Sequence, residues 1–204
     1  SFERPYVGAS FEPVTSDVAE ALGLKTVRGA LVVRIAEDGP AAKAGLKPGQ
    51  VVTAVNGIPV EHPDALGYRL TTAGLGEKAE LTVQEDGREE TIALTLAAAP
   101  ETRPRDIQLI EGRSPFAGLR AGNLSPRLAY ELKMASEVTG VVVIDVVRGS
   151  PAARLGFRPR DIVVAVNGEN IASVDDLQKI AESDPGFWRV EIERDGQRIR
   201  QIFR

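Results

Sequence analysis

Gly39-Pro-Ala-Ala-Lys-Ala-Gly-Leu-Lys-Pro-Gly-Gln-Val-Val-Thr-Ala-Val-Asn-Gly57 returns as Ser150-Pro-Ala-Ala-Arg-Leu-Gly-Phe-Arg-Pro-Arg-Asp-Ile-Val-Val-Ala-Val-Asn-Gly168, an offset of 111 residues. Extended outward without a gap, Gly29 to Leu66 matches Gly140 to Leu177 with about 14 identities in 38 positions. Most other differences keep an apolar residue opposite an apolar one. A repeat of this length means two copies of one domain, each of which can be read against the other. With 204 residues in all, each copy is long enough to bury a core without staples.

The same order of elements is predicted in both copies. A short glycine-containing loop comes first, Tyr6-Val-Gly-Ala9 and Phe116-Ala-Gly-Leu119. A helix follows, with Thr15 as N-cap in copy one, and with Ser125 as N-cap and Pro126 at the first helical position in copy two. The runs Ala30 to Ile35 and Val141 to Val146 are apolar on consecutive residues, as expected of strands buried on both faces. Pro-Ala-Ala opens a helical turn, and a second buried strand leads to Asn56-Gly57 or Asn167-Gly168. These are tight-turn dipeptides, because both central residues of a type I′ turn need positive φ. A helix is predicted from Pro63 to Ala73 and from Val174 to Glu182, and each copy closes on a hairpin at Asp86-Gly87 or Asp195-Gly196. Residues 98–113 are rich in Pro and charge and read as a semi-rigid linker. Within them Ile107 to Ile110 alternates apolar and polar residues and could add a short strand to copy two. The boundaries are therefore 1–97 for the first domain, 98–113 for the linker and 114–204 for the second.

Composition narrows the chemistry. The net charge of -4 gives no global basic field for nucleic acid. The cluster Arg194, Arg198, Arg200 and Arg204 reads as a solvated strand face. With no cysteine and one histidine, disulfides, thiolate catalysis and a zinc site are not expected, and no cofactor is indicated. No apolar run is long enough to span a bilayer. His62 lies between Glu61 and Pro63 with no glycine-framed serine nearby, and copy two has Ser173 in its place. It reads as a helix-start residue, not as the base of a Ser-His-Asp triad. Starting at Ser1, beside a candidate loop, the sequence reads as a processed or excised piece. What remains is binding. The glycine-centred loops can aim several backbone N–H groups into one space, a nest for a peptide carboxylate, with a strand edge beyond for β-augmentation. On the residues alone, plain tight turns at Gly8 and Gly118 are an equal reading.

Taken together, these motifs resemble PDZ domains of the bacterial, circularly permuted kind, and more narrowly the tandem PDZ region of the HtrA (Do-like, or Deg) serine proteases. The resemblance covers essentially the whole chain. It is carried by Arg4-Pro-Tyr-Val-Gly-Ala9, by the two Pro-Ala-Ala-x-x-Gly and Asn-Gly pairs, and by Gly112-Arg-Ser-Pro-Phe-Ala-Gly-Leu119 through Asn-Leu-Ser-Pro126. It implies an α+β, mostly β fold: two partly open barrels or sandwiches, each capped by two helices. It also implies a periplasmic quality-control endopeptidase whose trypsin-like domain and triad are absent from this chain, which would bind and not cleave. Expected partners are C-termini of unfolded or misfolded proteins or allosteric peptides, the protease domain, and other subunits of a homo-oligomer.

Carried over residue by residue, the resemblance puts the carboxylate loop on Tyr6, Val7, Gly8 and Ala9, with Arg4 as charge partner. It lines the terminal pocket with Val7, Ala9, Phe11, Leu66, Arg69 and Leu70. Leu66 and Leu70 share a helix face, and core packing is the stronger competing reading for that pair. Ala9 is smaller than the aliphatic usual there, which implies a roomier pocket. In copy two the corresponding set is Phe116, Ala117, Gly118, Leu119, Leu177, Ile180 and Ala181. The family's second PDZ domain often serves packing between subunits, so its groove could be unused. Two alternatives stand beside peptide recruitment: an oligomer-assembly module of the same protease, and the PDZ pair of a site-2 intramembrane metalloprotease.

Overall fold

The computed structural model describes residues 3–135 and 138–204. The chain forms two compact units, one of residues up to 100 and one of 101–134 and 138–204. The first contains β1 (Ala9–Pro13), α1 (Ser16–Ala21), β2 (Ala30–Ile35), α2 (Pro40–Ala44), β3 (Val51–Val55), β4 (Ile58–Pro59), α3 (Pro63–Ala73), β5 (Lys78–Glu85) and β6 (Arg88–Thr95). The second contains β7 (Gln108–Leu109), β8 (Leu119–Asn123), α4 (Pro126–Glu131), β9 (Val141–Val146), α5 (Pro151–Arg154), β10 (Ile162–Val166), β11 (Glu169–Asn170), α6 (Val174–Glu182), β12 (Trp188–Arg194) and β13 (Gln197–Phe203).

Each unit is one antiparallel sheet with three helices, the shortest being the Pro-Ala-Ala turn. The order is β1-β2-β3-β5-β6 in the first, and β13-β12-β10-β9-β8-β7 in the second. The sheets do not close, so the fold is mostly β and open, not a full barrel. Strand β1 is therefore an edge, paired only with β2. The repeat extends to backbone irregularities: β1 and β8 each carry a register shift, at Ser10/Phe11 and at Arg120/Ala121. Positive φ at Asn56-Gly57, Asp86-Gly87, Asn167-Gly168 and Asp195-Gly196 confirms the four tight turns.

Helix starts follow the capping rules. Thr15, Ser125 and Ser173 each accept a hydrogen bond from a first-turn N–H. His62 does the same through Nδ1, from the Asp64 N–H at 3.2 Å. The lone histidine is thus an N-cap on an exposed helix end, the role Ser173 plays in the second unit.

The cores differ in filling. The first is aliphatic, built on Val32, Val52, Leu66, Leu81 and Leu96. The second adds an aromatic cluster in which Phe116 stands 5.9 Å from Phe157 and 5.6 Å, edge-on, from Trp188. The central strands are covered less completely than their apolar runs suggested. Helix α1 shields Leu31 together with Val14 and Ala19, but it is too short to reach Val33, which is 38% exposed. In β9 the buried stretch is Val141 to Val143, and the later residues emerge.

Between residues 98 and 113, read above as a linker, Arg103 donates to the carbonyls of Gly140 at 2.6 Å, Ala172 at 2.8 Å and Leu124 at 3.1 Å. Burial pushes the pKa of this guanidinium below its usual value, and the carbonyls stabilise its charge. Strand β7 pairs with β8, as the alternation at 107–110 suggested.

Three of the four arginines at the C-terminal end, Arg194, Arg198 and Arg200, make ion pairs. Arg198 and Arg200 reach Glu191 at 3.3 and 2.9 Å. Arg194 holds the buried Asp161 through Nε and Nη2, both at 2.8 Å. Asp161 also accepts from the Arg158 N–H. The first unit has Gln50 at this place, bonded to Glu85 and Glu90. Asp161→Ala strands a cation and an amide, and should destabilise the second unit by about 2–3 kcal/mol. Urea unfolding followed by Trp188 fluorescence measures this, because the only tryptophan lies in that unit.

Candidate peptide groove

Ala41 is the second residue of α2, and its N–H is one of the donors that a helix start leaves without an internal acceptor. It donates to the Val7 carbonyl at 2.9 Å. The Ala36 N–H donates to the Gly8 carbonyl at 2.8 Å. In a planar trans peptide the C=O and the following N–H point in opposite directions. The N–H groups of Gly8 and Ala9 are therefore turned away from this scaffold, toward the side where β1 has no partner strand. Among the described residues, the N–H groups of Val7 and Gly8 have no acceptor.

Gly8 makes the turn possible. Its φ is +72°, and a Cβ there would lie 3.3 Å from the Gly39 Cα and 3.1 Å from the Tyr6 hydroxyl. Tyr6 is buried, and its N–H donates to the Ala97 carbonyl at 2.8 Å. Val7 and Phe11 are half-buried and pack on the core. Ala9 is buried, as are Leu66 and Leu70, which form core under α3. On the same helix Ala65 is half-buried, a contributor that the sequence reading passed over. Arg69 is half-buried with its guanidinium 5.8 Å from the Tyr68 ring centre. Arg4 is exposed, and its Nη2 lies 3.9 Å from where a Cβ on Gly67 of α3 would stand. The loop and the unpaired edge of β1 thus lie beside α3, with Arg4 near Gly67 of that helix.

The second unit repeats the scaffold. The Ala152 N–H donates to the Ala117 carbonyl at 3.0 Å, and the Val147 N–H to the Gly118 carbonyl at 2.8 Å. Phe116, Ala117 and Leu119 are buried with Leu177, while Ile180 and Ala181 are half-buried against the same core. Here the loop amides are occupied. Ala117 donates to Ser114 at 3.1 Å and Gly118 to Ile110 at 2.8 Å. The edge of β8 is occupied too, by β7. Ile110, Arg103 and Asn123 were not foreseen as groove residues. The alternation at Ile107 to Ile110 was the available signal, but it does not say which edge it pairs with.

A PDZ domain family model matches residues 31–85 and 142–187, one stretch in each unit. The chain belongs to the PDZ family. A "probable periplasmic serine endoprotease DegP-like" of Brucella suis is 37% identical over 179 residues, covering 88% of this chain and 34% of the relative. A Pseudomonas fluorescens protein of the same description is 35% identical over 187 residues, covering 89% and 38%. This PDZ chain therefore spans about a third of the length of those relatives, and it is a tandem PDZ region of the DegP-like kind. Among solved structures, an HtrA-type protease AlgW with decapeptide is 26% identical at a TM-score of 0.43, over 48% of this chain and 30% of that one.

Gly8→Val forces a β-branched residue into a left-handed conformation and crowds Gly39. The loop amides should lose their alignment while the core, built elsewhere, persists. We expect at least a tenfold loss of affinity for a C-terminal peptide in the first domain, measured by calorimetry, with the strand signature in circular dichroism retained.

Proposed function

We propose that the first PDZ domain captures extended peptides by a free, hydrophobic C-terminus, and that the tandem serves a periplasmic DegP-like serine endoprotease in protein quality control by recruiting unfolded C-termini or allosteric peptides. The observation that carries this reading is the loop. Its carbonyls are held by Ala36 and Ala41, and the Val7 and Gly8 amides have no acceptor among the described residues. Anions bind such converging N–H groups. The edge of β1 offers the main-chain hydrogen bonds of an added strand. Ala9, with its short side chain, and the half-buried Val7 and Phe11 offer an apolar seat for the terminal residue. The carboxylate nest and pocket are the proposed ligand contacts, with Tyr6, Leu66 and Leu70 as support. The similarity to periplasmic serine endoproteases favours a serine-protease parent over an intramembrane metalloprotease.

A peptide with a free hydrophobic C-terminus should bind with micromolar affinity, and amidation of that terminus should abolish binding in fluorescence anisotropy. Equal binding of acid and amide overturns the reading. Arg4→Glu should weaken the acid peptide about three- to tenfold, with the loss shrinking as salt rises, because an exposed charge is screened.

A further inference from the structure

Residues 103–110 lie in the second domain where the first domain offers its edge. The Gly118 N–H donates to the Ile110 carbonyl at 2.8 Å, and the Ile110 N–H to the Leu119 carbonyl at 2.8 Å. Gln108 is the register partner of Ala121, and the Asn123 N–H donates to the Arg105 carbonyl at 2.7 Å. The segment therefore runs antiparallel beside β8, with strand pairing at Gln108 and Leu109 and single backbone hydrogen bonds at Ile110 and Arg105. It also faces α6. The Gln108 Nε2 is 3.5 Å from Asp175 in the first turn of that helix. The Ile110 side chain is 1% exposed in the cluster that includes Phe116, Leu119, Val174 and Leu177. The other end is pinned by Arg103 on its three carbonyls and by the Asn123 side chain. Its Nδ2 donates to Pro104 at 3.1 Å, while its Oδ1 accepts from the first-turn Val174 N–H at 2.9 Å.

We propose that residues 103–110 are a built-in ligand of the second PDZ groove, with Ile110 in the seat of a peptide's terminal residue, and that this groove is closed to peptides in trans while the segment is docked. The Gly118 amide is the counterpart of the Gly8 amide, and its acceptor is a backbone carbonyl in place of a carboxylate. A five-residue connection, Glu111 to Pro115, joins Ile110 to the loop at Phe116. A short tether gives an effective concentration on the order of millimolar. Against a micromolar site, that suppresses binding in trans about a hundredfold or more. The occupant also states the groove's preference: an aliphatic residue at the loop. Gln108 adds nothing to that preference, since its Nε2 bonds mainly to Asp106 of its own segment at 2.8 Å. The inference does not depend on peptide capture by the first domain.

The test uses the whole chain, assigned by NMR, and the synthetic octapeptide Arg-Pro-Arg-Asp-Ile-Gln-Leu-Ile with a free carboxyl terminus. Ile110→Asp places a charge in an apolar seat and should expel the segment. The octapeptide should then shift the amides of Gly118 to Asn123 and bind at least tenfold tighter there than in the unmodified chain. Shifts confined to Val7 to Phe11 report on the first domain and do not count. A folded variant that leaves Gly118 to Asn123 unmoved, or an unmodified chain that binds there equally well, overturns the proposal. Should the variant unfold, hydrogen exchange on the unmodified chain decides. The Gly118 and Asn123 amides should exchange at least a hundredfold more slowly than that of Gly8, and comparable rates overturn the proposal.

Discussion

Two hydrogen bonds onto the loop carbonyls organise each domain. The Ala41 and Ala36 amides in the first, and Ala152 and Val147 in the second, take the carbonyls before and at the loop glycine. Because the peptide unit is planar and trans, the amides must then face the opposite way. Pro-Ala-Ala serves this geometry. Proline occupies the first helical position, where no N–H is needed. The next alanine supplies the donor and is fully buried in both copies, so its small size lets the helix start approach the loop. The repeat that is most legible in the sequence is the part that aims the site.

What differs between the copies is how the aimed amides are used. In the first domain they border an edge strand, with Arg4 beside α3. In the second they meet the chain itself, and β8 is no longer an edge. The supporting polar groups differ as well: Gln50 with two glutamates in one domain, and Asp161 with Arg194 in the other. Each satisfies the same buried position, as a buried polar group must be satisfied, but with opposite distributions of charge. The shared backbone therefore tolerates different internal pairs and, at the strand after the loop, an unpaired edge in one domain and a paired one in the other.

Much of this was legible from short-range signals. The turn dipeptides and the caps at Thr15 and Ser125 appear where their chemistry predicts, because each acts within a few residues. The loop at Tyr6 to Ala9 was marked by its glycine. The direction of its amides was not, since that depends on Ala36 and Ala41, some thirty residues away in sequence. For the same reason Leu66 and Leu70 could not be divided between pocket and core from helix spacing alone. In the structure both are core, and the half-buried Ala65 stands on the same helix. The segment 98–113 was legible only in part. Proline and charge gave a semi-rigid linker and the alternation at 107–110 a short strand, but neither showed that Arg103 and Asn123 pin residues 103–104 to the second unit. Hydrogen bonds from a side chain to carbonyls 21 to 69 residues away leave no local trace.

The account rests on the orientation of the first domain's loop amides. A titration of the chain with a free-acid hydrophobic peptide, followed at each backbone amide by NMR, tests it most directly. Gly8 and Ala9 should show the largest downfield proton shifts, as expected of new charge-assisted hydrogen bonds, while Gly118 stays in place. Binding that leaves Gly8 and Ala9 unmoved, with the largest shifts elsewhere, would contradict the account.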